Sequence, residues 1–312
     1  MWIVLITVGT VTVLSLAGSY AAYVLAFRRT GEDVTHKVLQ GPEYEPYAEA
    51  SLELIKEGET VPFEEVRIRS YDGLELFGRL YLKDPARPFH IQFNGYRGNG
   101  QRDFAGGLKL ALEAGDNVLL TDQRSHGKSG GKTICMGVRE RFDVRSWTAY
   151  VAERFGKDTN VFLEGISMGA ATVLTASDLT FGCPVLGIIA DCPYSSPSGI
   201  LRAVCRKRYR AGDLLLPFLW AGAFLFGHFS LSGASALKSV PHASAPILLI
   251  HGTADTFVPF SMSEEIYSLR PDLIRFVPVE GAPHGLSYFR DNERYVSAVR
   301  SFREDCLKKA GK

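Results

Sequence analysis

Residues 161–176 read VFLEGISMGAATVLTA: an apolar run that breaks at Gly165-Ile166-Ser167-Met168-Gly169 and resumes in small and aliphatic residues. The run from Asn160 to Gly165 has the composition of a buried strand, and MGAATVLTA that follows is compatible with a helix. Glycine and serine are common, so G-x-S-x-G alone is a weak signal and fits a plain Gly-Ser turn equally well. A strand entering it and a helix leaving it strengthen it. A serine on a tight strand-to-helix turn is held in a strained, exposed position, and the flanking glycines let strand and helix approach. The helix N-terminus also aims backbone N–H groups and a partial positive charge at the same spot.

Working outward, short apolar runs alternate with helical stretches: FHIQFNG from 89, a helix near 103–114, NVLLTDQ from 117, a helix near 138–155, then the strand and helix of the opening stretch. VLGIIADCP, PILLIHG and IRFVPVE continue the series, and a charged amphipathic helix near 289–309 ends it. This rhythm predicts an α/β fold with a mostly parallel central sheet and flanking helices. Its strands are continuously apolar because interior parallel strands are buried on both faces. An antiparallel hairpin begins the sheet, since FEEVRIRSYDGLELFGRLYLK alternates on both sides of Asp72-Gly73. About 50 residues separate ADCPYSS from the strand at 247, far more than an ordinary αβ connection. They hold the basic RAVCRKRYR and the apolar LLLPFLWAGAFLFGHF, which together look like an inserted helical cap.

Chain order tests whether Ser167 has partners. In an elbow hydrolase the serine is followed by an acid and then a histidine. Of the 7 histidines, His36, His90 and His126 precede Ser167. Asp255 closely follows the strand of ILLIHGTAD, and His284 in EGAPHGLSY is the histidine beyond it. All three positions fall past the C-terminal ends of strands, where open α/β sheets place their sites. Ser167 as nucleophile, His284 as base and Asp255 as orienting acid form the expected triad. Asp191 in IIADCPYSS, one strand earlier, is the alternative acid.

On GISMG, HGTADTFVP and GAPHG, with FNGYRGN and DQRSHGKSGG upstream, the chain resembles the α/β-hydrolase fold superfamily over roughly residues 60–310. The resemblance implies ester or thioester hydrolysis through an acyl-enzyme, with no metal or organic cofactor. It also implies an oxyanion hole built from the backbone N–H groups of Tyr96 and Met168. Asn94 departs from the pattern, standing where the superfamily usually has histidine, and Ser125 replaces a glycine of the Asp-x-Arg-Gly-His-Gly-x-Ser turn. In that turn His126 is expected to be structural. A serine peptidase of the same fold and a non-catalytic membrane-tethered binding protein are the competing readings.

The 312 residues carry a net charge of +1, with 46% hydrophobic and 22% charged residues, a balance that suits a globular catalytic domain and argues against a nucleic-acid partner. Cys135, Cys183, Cys192, Cys205 and Cys306 lack metal-ligand spacing and read as reduced, buried thiols. HGKSGGKT lacks the first glycine of a phosphate loop, and His251 has no second ligand at a metal spacing, so strand-end packing is expected of it.

Trp2 to Phe27 carries no charge and would make a helix of about 39 Å, enough to cross a bilayer core of about 30 Å. Arg28, Arg29 and Lys37 follow it, which places the main domain in the cytoplasm by the positive-inside rule, with a signal peptide or the opposite orientation as alternatives. The expected organisation is a transmembrane anchor over 1–29, a connecting segment over 30–62, a hydrolase core over 63–197 and 245–312, and a cap or lid over 198–244. Arg202, Arg206 and Arg210 share one helical face, so the cap either covers an acyl pocket with its arginines solvated or meets anionic headgroups at a membrane. As a tether, the segment 1–29 is expected to be removable without loss of activity. The expected partners are a small acyl ester or thioester and a membrane.

Overall fold

Asp72-Gly73 turns the chain as the alternating pattern requires, joining β1 (Glu64–Arg69) to β2 (Glu75–Tyr81) as an antiparallel hairpin. The computed structural model describes residues 1–38 and 41–311; Leu39, Gln40 and Lys312, which fall in the expected connecting segment and at the end of the expected core, lie outside the described residues. Six more strands follow: β3 (Phe89–Phe93), β4 (Asn117–Asp122), β5 (Val161–Ile166), β6 (Val185–Asp191), β7 (Ile247–Gly252) and β8 (Ile274–Val279). They form one sheet in the order β1-β2-β4-β3-β5-β6-β7-β8. β2 pairs antiparallel with β4, and from β4 to β8 all pairings are parallel.

Every residue of β3, β4 and β7 is buried, whereas the edge strand β1 alternates, as the difference between two-faced and one-faced burial demands. Successive residues of β5 face opposite layers. Leu163 packs with Val144, Trp147 and Val151 of helix Glu140–Phe155, while Phe162 packs with Val299 and Phe302 of helix Asn292–Lys309. This sandwich holds the ends of β3, β5, β6 and β7 together at one edge of the sheet, where the connecting loops carry the chemistry.

A third cluster lies above that edge and joins three parts of the chain that the sequence separates widely. Phe27, at the end of helix Trp2–Ala26, is wholly buried there with Met168 and Ala171 of the elbow helix and with Leu219 and Ala223 of the cap. Its ring meets Phe229 edge-on at 5.3 Å. The apolar helix Leu216–Leu225, within the expected cap, lies along the N-terminal helix: Gly222 sits against the backbone of Ser19 and Tyr23, and the Phe218 ring against Gly18. Removing residues 1–29 would therefore also remove Ala22, Tyr23, Ala26 and Phe27, whose side chains pack in this cluster. The described residues contain one helix long and apolar enough to cross a membrane, Trp2–Ala26.

Candidate active site

Gly165 and Gly169 build the elbow by having no side chains. A Cβ on Gly169 would lie 1.8 Å from the Phe93 carbonyl oxygen, and one on Gly165 would lie 2.2 Å from the Gly169 carbonyl. Helix Met168–Thr175 can thus descend onto β3 and β5 at backbone contact distance. Ser167, between them, takes φ 55° and ψ −116°, a strained conformation for a residue with a side chain, and its N–H is anchored to the Asp191 carbonyl at 2.8 Å.

The geometry around Ser167 follows from that turn. Ser167 Oγ donates to His284 Nε2 at 2.8 Å, and His284 Nδ1 donates to Asp255 Oδ2 at 2.6 Å. An ionised carboxylate only accepts, so Asp255 fixes the tautomer that leaves Nε2 free to receive the serine proton. Asp255 Oδ1 accepts the N–H groups of Phe257 and Val258, both at 2.8 Å. Burial pushes the Asp255 carboxyl upward, but hydrogen bonds from His251 and His284 outweigh it and hold it well below the usual carboxylate range.

His251, expected to pack at the strand end, has a second task. His251 is fully buried, its Nδ1 accepts from Ser263 Oγ at 2.6 Å, and its Nε2 donates to Asp255 Oδ2 and the Val258 carbonyl, each at 3.1 Å. The acid thus has two imidazoles on one oxygen. The i,i+4 spacing of His251 and Asp255 was visible in sequence, but not that the intervening turn would fold back on itself.

Asp191 is placed differently. It is buried at the end of β6 and makes no bond to His284, and burial lifts its pKa to about 7 against the pull of His251 and Tyr295. A carboxyl whose ionisation burial disfavours and that makes no bond to the imidazole is poorly suited to orienting it. Cys192 follows Asp191, and its sulfur, an Asp255 oxygen and a His284 nitrogen lie within 4.8 Å of one another. Burial keeps that thiol protonated, and the other two groups are committed to each other, so the trio packs beneath the site without the chemistry of a metal cage.

Opposite the elbow, Gly95 lies against Ser167, and Tyr96 follows it in a turn closed by Gly98 N–H to the Gly95 carbonyl at 3.1 Å. Asn94 serves as a clamp here: its Oδ1 accepts from Gln123 N–H at 2.9 Å, and its carbonyl accepts from Gln123 Nε2 at 2.6 Å. His126 is structural, accepting the Arg97 N–H at 2.9 Å through Nε2 and donating through Nδ1 to the Arg124 carbonyl at 2.8 Å. Burial drops its pKa to about 4, which keeps Nε2 an acceptor.

A cavity of about 490 Å³ opens at Ser167 and His284. Its apolar walls include Tyr44, Ile55, Ile166, Phe257, Leu286 and Phe289, and Lys37, Arg102 and Lys207 stand among its polar groups. Tyr44 and Ile55 come from residues 30–62 and Lys207 from helix Pro197–Arg208. Of the cap arginines, Arg206 forks onto Asp213 at 2.9 and 2.7 Å.

No family model matches the chain. The uncharacterized protein YqkD of Bacillus subtilis is 29% identical over 199 residues, covering 64% of this chain and 65% of YqkD, so the match spans a little under two thirds of that relative's length. A zebrafish (Danio rerio) protein, lysophosphatidylserine lipase ABHD12, is 22% identical over 183 residues, covering 54% of this chain and 45% of its own. Among solved structures, the Pyrococcus furiosus esterase Pf2001 superposes with a TM-score of 0.65 at 21% identity, covering 80% of this chain and 93% of that one. Sheet order, elbow and structural neighbours agree: the chain has the α/β-hydrolase fold.

Proposed function

We propose that this protein is a membrane-held serine hydrolase that cleaves ester or thioester bonds of hydrophobic acyl substrates. The observation that carries the reading is the unbroken line Ser167 Oγ, His284, Asp255, at 2.8 and 2.6 Å, facing a cavity with largely apolar walls. His284 takes the serine proton as Oγ attacks the carbonyl, and Asp255 stabilises the imidazolium. The backbone N–H groups of Tyr96 and Met168 receive the developing oxyanion, a single donor contributing about 3 kcal/mol. His284 then protonates the leaving group, and water, activated by the same imidazole, releases the acyl-enzyme. An esterase among the structural neighbours and a lysophosphatidylserine lipase among the relatives support an ester as the substrate class.

Membrane attachment rests on helix Trp2–Ala26, and the cap shares in it. The segment clear of the domain, Trp2 to Leu16, is about 22 Å long, short of a hydrocarbon core of about 30 Å. A spanning helix therefore draws the bilayer down to the level of the cap, where Leu214, Trp220 and Phe224 are exposed. Arg28, Arg29 and Lys37 after the helix favour a cytoplasmic catalytic domain by the positive-inside rule.

The test is a chain-length series of p-nitrophenyl esters and acyl-thioesters on wild type and Ser167→Ala. Turnover that rises with acyl length and vanishes in the variant supports the reading; activity that survives the variant, or is confined to the shortest acyl groups, contradicts it. For the cap, Trp220→Glu with Phe224→Glu should weaken liposome co-flotation of the full chain.

A further inference from the structure

The end of the N-terminal helix and the oxyanion loop hold each other. A helix leaves its last carbonyls without intrahelical partners, and near a membrane these need donors from elsewhere. Here they come from the two residues after Gly95. Tyr96 Oη donates to the Ala26 carbonyl at 2.9 Å, and Arg97 Nη2 donates to the Leu25 carbonyl at 2.7 Å. The guanidinium also stacks near the Tyr96 ring, 5.0 Å from its centroid. Arg97 takes φ 54°, and its N–H is fixed by His126, so the Tyr96–Arg97 peptide is pinned from both sides. From the other direction Phe27 packs in the same buried cluster as Met168, and its carbonyl accepts from Ile134 N–H at 2.7 Å.

From this geometry we infer that Leu25–Phe27, with the side chains of Tyr96 and Arg97, is a positioning element for the oxyanion hole: the membrane helix sets the direction of the Tyr96 N–H. The inference rests on the hydrolase reading above. Its action is on the transition state, because the oxyanion develops only there; Gly95 and Tyr96 line the cavity beside Ser167, while the apolar walls Tyr44, Ile55, Phe257, Leu286 and Phe289 come from other segments. The coupling converts a tether into part of the catalytic framework, so the state of the helix end bears directly on turnover.

The experiment uses the full chain in detergent micelles, with Tyr96→Phe, Arg97→Gln and the double variant, none of which removes a backbone N–H. The expected result is a kcat lower by about tenfold in the double variant, with KM within about twofold and the melting temperature nearly unchanged. Fluorophosphonate labelling of Ser167 should slow in parallel. Arg97→Lys, which keeps a cation at the Leu25 carbonyl, should recover part of the kcat that Arg97→Gln loses. Unchanged kcat in the double variant overturns the inference, as does a kcat loss that tracks lost melting temperature. A wild type that neither hydrolyses esters nor labels, while remaining folded, instead overturns the hydrolase reading and the inference with it.

Discussion

Replacing Gly169 with alanine adds one methyl group at the place where the elbow is tightest. The new Cβ would stand 1.8 Å from the Phe93 carbonyl oxygen and 2.7 Å from that of Asn94, where ordinary contact begins at 3.4 Å. Both obstacles are backbone, so no side chain can turn away to relieve them. Either the end of β3 moves by more than an ångström, and with it the loop bearing Tyr96, or helix Met168–Thr175 lifts off and takes the Met168 N–H along. Overpacking of this kind costs about 1–3 kcal/mol at well-packed sites, and the rigid obstacles here put the cost toward the upper end. Catalysis should suffer more, because displacing a catalytic group by about 1 Å can cost about a hundredfold in rate. The assay is kcat on a p-nitrophenyl ester, measured well below the melting temperature of the variant, beside a thermal melt of both proteins. A Gly169→Ala enzyme with kcat within about threefold of wild type and an unchanged melting temperature would refute the elbow geometry.

Further outcomes follow from the same framework. Asp255→Asn should lower kcat by about 10³- to 10⁴-fold, while Asp191→Asn, at a buried carboxyl unbonded to His284, should stay within about threefold; steady-state kinetics on the two variants checks both. Phe27→Ala should destabilise the domain by about 3–5 kcal/mol in chemical denaturation, and a loss below about 1 kcal/mol would mean that the helix end is not part of the core. Below β5, burial opposes the charge on His90, but Glu164 Oε1 at 2.6 Å and Asp116 Oδ2 at 3.0 Å outweigh it and raise its pKa from 6.5 to about 9. The folded state then holds a proton that the unfolded state releases, so this stabilisation is complete below about pH 6.5 and is lost as pH rises through about 9. Burial also raises the Asp191 and Asp143 carboxyls to about 7, so they add to the fall in stability around neutral pH; His90→Gln should make the fall between pH 7 and 9 shallower, as denaturation midpoints across pH would read.

The elements that local pattern controls were legible in the sequence. Continuous apolar runs marked β3 to β7, Asp72-Gly73 marked the hairpin, and the order Ser167, Asp255, His284 named the three residues that the structure brings into line. Contacts made by chain reversal were not legible. The approach of His251 to Asp255 depends on the turn through Val258, and the clamp of Asn94 on Gln123 depends on β3 and β4 lying side by side. The pairing of the cap helix with the N-terminal helix joins residues about two hundred positions apart, and the small residues that allow it, Gly18 and Gly222, carry no periodic signal. The same limit hid the cavity walls contributed by Tyr44 and Ile55, since residues 30–62 read only as a polar connection with one helix.

Covalent labelling reads most directly whether Ser167 is an activated nucleophile. Full-length protein in detergent, treated with a fluorophosphonate and measured by intact and peptide mass spectrometry, should gain one adduct, on Ser167. Ser167→Ala should gain none, and His284→Ala should label far more slowly, because Nε2 at 2.8 Å no longer accepts the serine proton. A folded wild type that takes no adduct, or takes it at another residue, would contradict the account.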